Sequence, residues 1–521
     1  MSEQPTAGRT PVDPALPTLD GLAQKVLRRA LIKIRHFRLE LDSLRSTYAE
    51  REDLPGVRTL IDAMSVVVAE AEREVTLLSR KLFESLQSPD ADDDQATERF
   101  CDIVGGLVNA LEYTLPNLLQ TVREPHGREI EALTRPFTTL LENLAREEAT
   151  IELIFEPDDD YAYDLSVIHE LAQIAQQFTS SLRDLLNDLP QLVAITYPKH
   201  LEAETLGHVI IAHEIAHTVI DRKPPSSDEP PILEAFDEAV TDRFDDLERE
   251  IKESNPPEED LIEEMTVEAV ERARRWYQEL VCDALALGLV GPVYAFALAD
   301  FELASNRWGQ IRGGPGYETH PGLTWRLRRL IDQARSEYLS TDSPGPAAAT
   351  LSRGLDELKE ALPSREDAIA QQERALIELA LVNAEEKDAV SKVLGQARYL
   401  PEFLEVEGEL VLEKLQAGIP PAERVNDRGA GRKRVERVPQ EWSKPIKWQS
   451  IFNGAYAHWL EAGPLAPAKE DLRTLPERRT IAKDWIDFNS YIRGSIELAN
   501  IHAELEEARE RLGDLNNPEK I

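Results

Sequence analysis

Little in this chain could staple it, anchor it or draw it toward nucleic acid. Two cysteines in 521 residues, Cys101 and Cys282, stand far apart in unlike surroundings. They build no disulfide framework, and a reducing cytoplasm is the expected compartment. Basic residues are scarce. Against 97 Asp and Glu there are 59 Lys and Arg, for a formal net charge of −38, and arginine outnumbers lysine. That balance repels nucleic acid and anionic membrane, so neither is an expected partner. A lysine-poor acidic surface suits a high-salt cytoplasm, and an acidic interaction surface would have the same composition. The opening "MSEQPTAGRTPVDPALPTLD" lacks a basic n-region and an apolar h-region. Residues 1–18 therefore read as a disordered lead-in and not as a signal peptide. An uninterrupted apolar run is missing as well. The nearest approach, "LVCDALALGLVGPVYAFALA" (280–299), contains Asp283 and is interrupted by Gly288, Gly291 and Pro292. It reads as a buried core helix broken at Gly291-Pro292, with no membrane span.

What the chain has in quantity is helical periodicity. Apolar residues recur at three-and-four spacing over about 19–54, 57–86, 96–123 and 127–147, as in packed bundles. The texture changes near Ala149. "ATIELIFE" and "AYDLSVI" read as two short strands about an acidic turn, with a helix over about 167–188 after them. "PQLVAITYP" reads as a further strand, offering an edge for an extended peptide. Beyond it lie an acidic stretch, a long helix from about Asp260 to Ala286, a glycine-rich loop "NRWGQIRGGPGYETHPG" and a helix over about 322–340. The segments 350–417 and 445–515 are again helical. The basic run "PPAERVNDRGAGRKRVERVPQEW" between them reads as a loop. The expected fold class is mainly α with a small β element, an α+β zincin core flanked by helical bundle domains. The expected boundaries are an N-terminal helical domain at 19–147, a metallopeptidase domain at 148–342 and a C-terminal helical domain at 343–521.

The chemistry concentrates in "HVIIAHEIAHTVI" (208–220). With 10 His in the chain, a His-acid-x-x-His match should arise by luck only about 0.04 times. Positions four apart lie one above the other on a helix face, so His213 and His217 can aim both imidazoles at one ion. Five residues rotate His208 away from that face, which makes it a core or capping histidine. The apolar filler buries the helix and dries the site.

A catalytic zinc takes three protein ligands and a water. A further histidine in the HExxHxxGxxH manner is absent, because Ile220 stands where the Gly would be needed and no His follows at the required place. A glutamate from a second helix, with Asp four residues on, is the other common solution. "EAVTD" (Glu238 to Asp242) and "ELVCD" (Glu279 to Asp283) both fit. Glu238 stands in a run of charges, whereas Glu279 and Asp283 are set among apolar residues where an unpaired carboxylate is costly. A metal is a good partner for a buried acid, so Glu279 is the favoured ligand. Asp283, one turn on, is expected to orient an imidazole from outside the ligand set. The bland alternative for these acids is pairing with an arginine such as Arg274 or Arg275.

HEIAH followed by "WYQELVCDALALGLVGP" resembles the gluzincin metallopeptidases. It is similar to the HtpX-like branch in its Glu-x-x-x-Asp-Ala segment, and to the ImmA/IrrE-like branch in its Glu-x-x-Ala-Asp and closing Pro. Here Cys282 replaces the Ala, and Pro292 fits the Pro. "THPGLTWRLRRL" (319–330) is similar to the His-Pro segment with a following arginine in the HtpX-like branch. The likeness covers about 200–340. It implies zinc held by His213, His217 and Glu279, with Glu214 as general base and His320 near the substrate. The membrane spans usual in the HtpX-like branch are missing, and a long acidic insertion separates His217 from Glu279, which keeps Glu238 open as an alternative ligand. In such a site His320, or second Tyr317, is the candidate to stabilise the oxyanion, and Gly313, Gly314 and Gly316 could let the loop move over the cleft. The expected activity is peptide-bond hydrolysis on a protein or peptide substrate, with the helical regions restricting access or mediating a regulatory partner or self-association. The alternative is a catalytically inactive, peptidase-like helical scaffold that binds a protein partner.

Overall fold

The computed structural model describes residues 21–49, 55–87, 93–123, 128–145, 151–158, 161–164, 191–198, 205–220, 262–304, 320–340, 344–362, 393–417, 423–425, 435–437 and 446–462, with short pieces elsewhere. The chain is mainly helical with a small β element, as its periodicity implies. It divides into two compact units, one formed by Met1–Pro125 with Leu165–Leu192, the other by His126–Asp164 with Val193–Ile521.

The first unit contains helices α1 (Gly21–Tyr48), α2 (Pro55–Leu86) and α3 (Asp93–Arg123), each in contact with the other two. Their stripes meet in a core that includes Leu27, Ile34, Leu41, Leu60, Val67, Val75, Val104 and Leu111, all nearly inaccessible. The second unit starts with α4 (Arg128–Ala145), which packs on strand β1 (Ile151–Asp158). The helix over 127–147, expected with the N-terminal bundle, thus belongs with the sheet. The core of this unit is continuous from Leu133 to Ile496 and runs across the boundary expected near 342.

In the sheet, β1 and β2 (Ala162–Asp164) flank β3 (Gln191–Pro198) in the order β1-β3-β2. Ala162 lies opposite Thr196 and Asp164 opposite Ala194 in an antiparallel register. The first two strands therefore do not pair as a hairpin. Nor does β3 offer an edge to a peptide, because it is central. Its run of Val193, Ala194 and Ile195 is fully buried, as suits a strand covered by neighbours on both sides. The basic run after 417 also differs from expectation: Glu423–Val425 pairs antiparallel with Val435–Arg437 in a two-stranded ribbon.

Three helices build the floor of the site. All ten residues of α5 (Ile211–Ile220) are buried. It packs against α6 (Ile262–Val290). α6 stops where the sequence predicts, at Gly291-Pro292, and α7 (Val293–Ala304) departs in a new direction. Gly291 adopts φ of +82°, a conformation that an L side chain resists. A Cβ there would sit 2.6 Å from a ring carbon of Tyr399. Asn453 closes the break: its amide donates to the Val290 carbonyl at 2.7 Å, and its oxygen accepts from the Val293 N–H at 3.1 Å. One side chain satisfies both the end of one helix and the start of the next. Across the described residues no helix is long and apolar enough to cross a membrane.

Candidate metal centre

Helical spacing brings His213 and His217 together as expected. Their Nε2 atoms are 3.1 Å apart. The carboxylate of Glu279, entering from α6, places one oxygen 3.2 Å from His213 Nε2 and the other 3.4 Å from His217 Nε2. Donors held at zinc's usual bond lengths in a tetrahedron stand about 3.3 Å from one another. Three side chains from two helices meet that requirement. They are also nearly dry, with His213 exposed by 5 %, His217 by 7 % and Glu279 by 8 %.

Behind His213 a network fixes the ring. Asp283 Oδ1 lies 3.0 Å from Nδ1 and accepts the Tyr294 hydroxyl proton at 2.6 Å, while the Tyr294 oxygen lies 3.1 Å from Nδ1. This assigns the Nδ1 proton to the Asp283 side and turns Nε2 toward Glu279 and His217. Arg326, from helix α8 (Leu323–Tyr338), holds the same aspartate with two bonds, Nε to Oδ2 at 2.8 Å and Nη2 to Oδ1 at 2.7 Å. Asp283 and Arg326 are exposed by only 2 % and 4 %. At a buried pair this close, removing one partner strands the other charge.

The electrostatics follow. Burial disfavours charge on His213, yet the hydrogen bonds to Asp283 and Glu279 outweigh it and raise the imidazole to about 10. Burial also works against Glu279 and Asp283, but contacts with the two histidines hold Glu279 well below the carboxylate range, and Arg326 lowers Asp283 likewise. Glu214 goes the other way: burial raises it above its ordinary value. Among the described residues its carboxylate accepts no hydrogen bond, and it is 8 % exposed, with the charges of the two imidazoles partly opposing the effect of burial. The Gln278 amide lies 3.4 Å from His217 Nδ1 and can accept the ring proton with its oxygen turned inward.

Cys282 is a second possible third ligand. Its Sγ and one ring nitrogen of each histidine lie within 4.8 Å of one another. Burial raises this thiol well above its usual range, whereas contacts with the two histidines hold Glu279 in its anionic form.

His320 stands at the rim, its side chain 51 % exposed and its Nε2 3.4 Å from Glu279. Burial of the rest of the ring lowers its pKa. His208 is a core residue: its Nδ1 meets the Tyr161 hydroxyl at 3.0 Å. Glu238 and Tyr317 lie outside the described residues, as do Gly313, Gly314 and Gly316. The arginine partner of the buried acids is neither Arg274, which pairs with Asp237 at 3.1 Å, nor Arg275, but Arg326.

Two members of the site escaped the sequence reading. Arg326 carried a signal, since it falls on the face of α8 that holds Leu323, Leu327 and Leu330, all buried. A charge within an apolar stripe needs a buried partner. Tyr294 carried a weaker one, a hydroxyl in the apolar run of α7 that must find an acceptor. No family model, curated protein or solved structure matches the chain.

Proposed function

We propose that this chain is a zinc-dependent metallopeptidase that hydrolyses peptide bonds in a protein or peptide substrate. The observation that carries the reading is the convergence of His213 Nε2, His217 Nε2 and the Glu279 carboxylate at 3.1–3.4 Å, with the buried Glu214 next to His213 on the same helix. His213, His217 and Glu279 would hold the metal. When bound, zinc supplies Lewis-acid chemistry, polarising a carbonyl and acidifying a water. Every remaining task falls to side chains.

Glu214, raised by burial and without a hydrogen-bond partner among the described residues, is suited to take a proton from the attacking water and pass it to the leaving amine. Asp283, Tyr294 and Arg326 keep His213 in the tautomer whose Nε2 faces inward. His320, half-exposed at the rim, is placed to donate to an oxyanion on the substrate, with Tyr317 as the second candidate. A purely scaffolding role has no need of Glu214, a buried carboxylate whose burial is costly unless it works.

The test is cleavage of a mixed peptide library by zinc-loaded protein, read by mass spectrometry, beside Glu214→Gln. The wild type should produce new termini. The variant should keep its zinc and lose about 10²–10⁴-fold of the rate, the usual worth of a positioned acid-base group. Equal activity in the two proteins would remove Glu214 from the mechanism, and no cleavage by zinc-loaded wild type would count against a peptidase.

A further inference from the structure

The first unit carries a groove that the metal centre does not use. It lies between α1 and α2, encloses about 650 Å³ and is open to solvent. Arg35 and Arg38 line it from one helix, Arg73 and Arg80 from the other. Leu39 and Leu77 line it too and are 69 % and 38 % exposed, so each helix presents an apolar side chain to the groove beside its arginines. The lining positions 31, 35, 38 and 42 of α1 repeat at helical spacing, and those of α2 between 69 and 80 do likewise. Two such rows side by side leave the trough into which a third helix packs.

The charge of the trough is opposite to that of the chain. Its lining carries four arginines, Arg35, Arg38, Arg73 and Arg80, against Asp42 and Glu72, a local balance of 4 − 2 = +2 in a protein of net −38. Glu72 accepts from Arg35 Nε at 3.2 Å and from Arg38 Nη1 at 3.0 Å, which holds both guanidinium groups in place at the trough. Arg80 makes no ion pair among the described residues. Preset arginines beside exposed leucines match carboxylates beside apolar side chains.

We infer that this groove docks an acidic amphipathic helix of a protein partner, its apolar stripe against Leu39 and Leu77 and its carboxylates against Arg35, Arg38, Arg73 and Arg80. The α1 row from 31 to 42 accommodates about three turns of helix, on the order of 17 Å. A membrane or a nucleic acid is too extended to meet the trough alone and would also face the acidic remainder of the surface.

The experiment selects from a displayed library of 18-residue helical peptides, with a fixed leucine stripe and randomised flanking charges, on the full-length protein. Enriched peptides should be net acidic and bind saturably. Binding should weaken about tenfold or more in Leu39→Ser/Leu77→Ser, and similarly in Arg80→Glu, with both variants retaining wild-type melting by circular dichroism. It should also weaken as salt is raised. Enrichment of neutral or basic peptides, no saturable binder, or equal affinity for the variants would overturn the proposal. So would groove-dependent binding of anionic vesicles or single-stranded RNA in place of peptide, or a homodimer that the same variants dissociate.

Discussion

At the scale of single residues, the candidate site is organised around one imidazole. His213 faces Glu279 and His217 on one side, Asp283 and Tyr294 on the other. In the metal-free protein the two carboxylates outweigh burial and keep this ring protonated up to about 10. A metal can bind Nε2 only after that proton leaves. At neutral pH, zinc binding should therefore release about one proton from His213, and affinity should fall about tenfold for each unit of pH lowered. Isothermal calorimetry in buffers of different ionisation heat measures the release directly, and a heat that does not depend on buffer would contradict it. The sign for folding is opposite. Because the folded value lies above the ordinary 6.5, the stabilisation from protonated His213 is complete below 6.5 and is lost as pH rises toward about 10. Metal-free protein should thus lose this contribution on the alkaline side, where bound zinc should protect most.

At the scale of elements, the break between α6 and α7 folds an apolar run into a wall of the candidate site. It sends α7 back so that Tyr294 reaches Asp283, eleven residues earlier. Gly291 makes the turn with φ of +82°, and Tyr399 fills the space a side chain would need. Gly291→Ala should cost about 1–3 kcal/mol, from left-handed backbone strain and displacement of Tyr399. Chemical denaturation measures it, and an unchanged midpoint would show that the turn relaxes freely. This break was legible because glycine and proline interrupt an apolar run wherever they fall. HEIAH and the buried Glu279 were legible for a related reason: polar groups within apolar helices need a task or a partner. The strand order was not, since pairing of β3 between β1 and β2 is a long-range choice that local alternation does not encode. The same holds for Arg326, which meets Asp283 across 43 positions of chain.

At the scale of the whole molecule, charge is the dominant feature. A net charge of −38 destabilises the compact state through self-repulsion, and added salt screens it. The melting temperature should rise as sodium chloride is raised from low to about 1 M, whereas a fall would mean that ion pairs outweigh the repulsion. Pairs such as Arg38–Glu72 at 3.0 Å are exposed and contribute little to that balance. The same acidity concentrates divalent cations near the chain, so specific metal binding must be separated from general attraction. Elemental analysis of purified, chelator-washed and zinc-reloaded protein does so when wild type is set beside Glu279→Ala, Cys282→Ser and His217→Ala. The account predicts about one zinc per chain in wild type and Cys282→Ser, and loss of it in Glu279→Ala and His217→Ala. Retention in Glu279→Ala with loss in Cys282→Ser would move the third ligand to the cysteine, and wild-type protein that holds no zinc would contradict the metal centre itself.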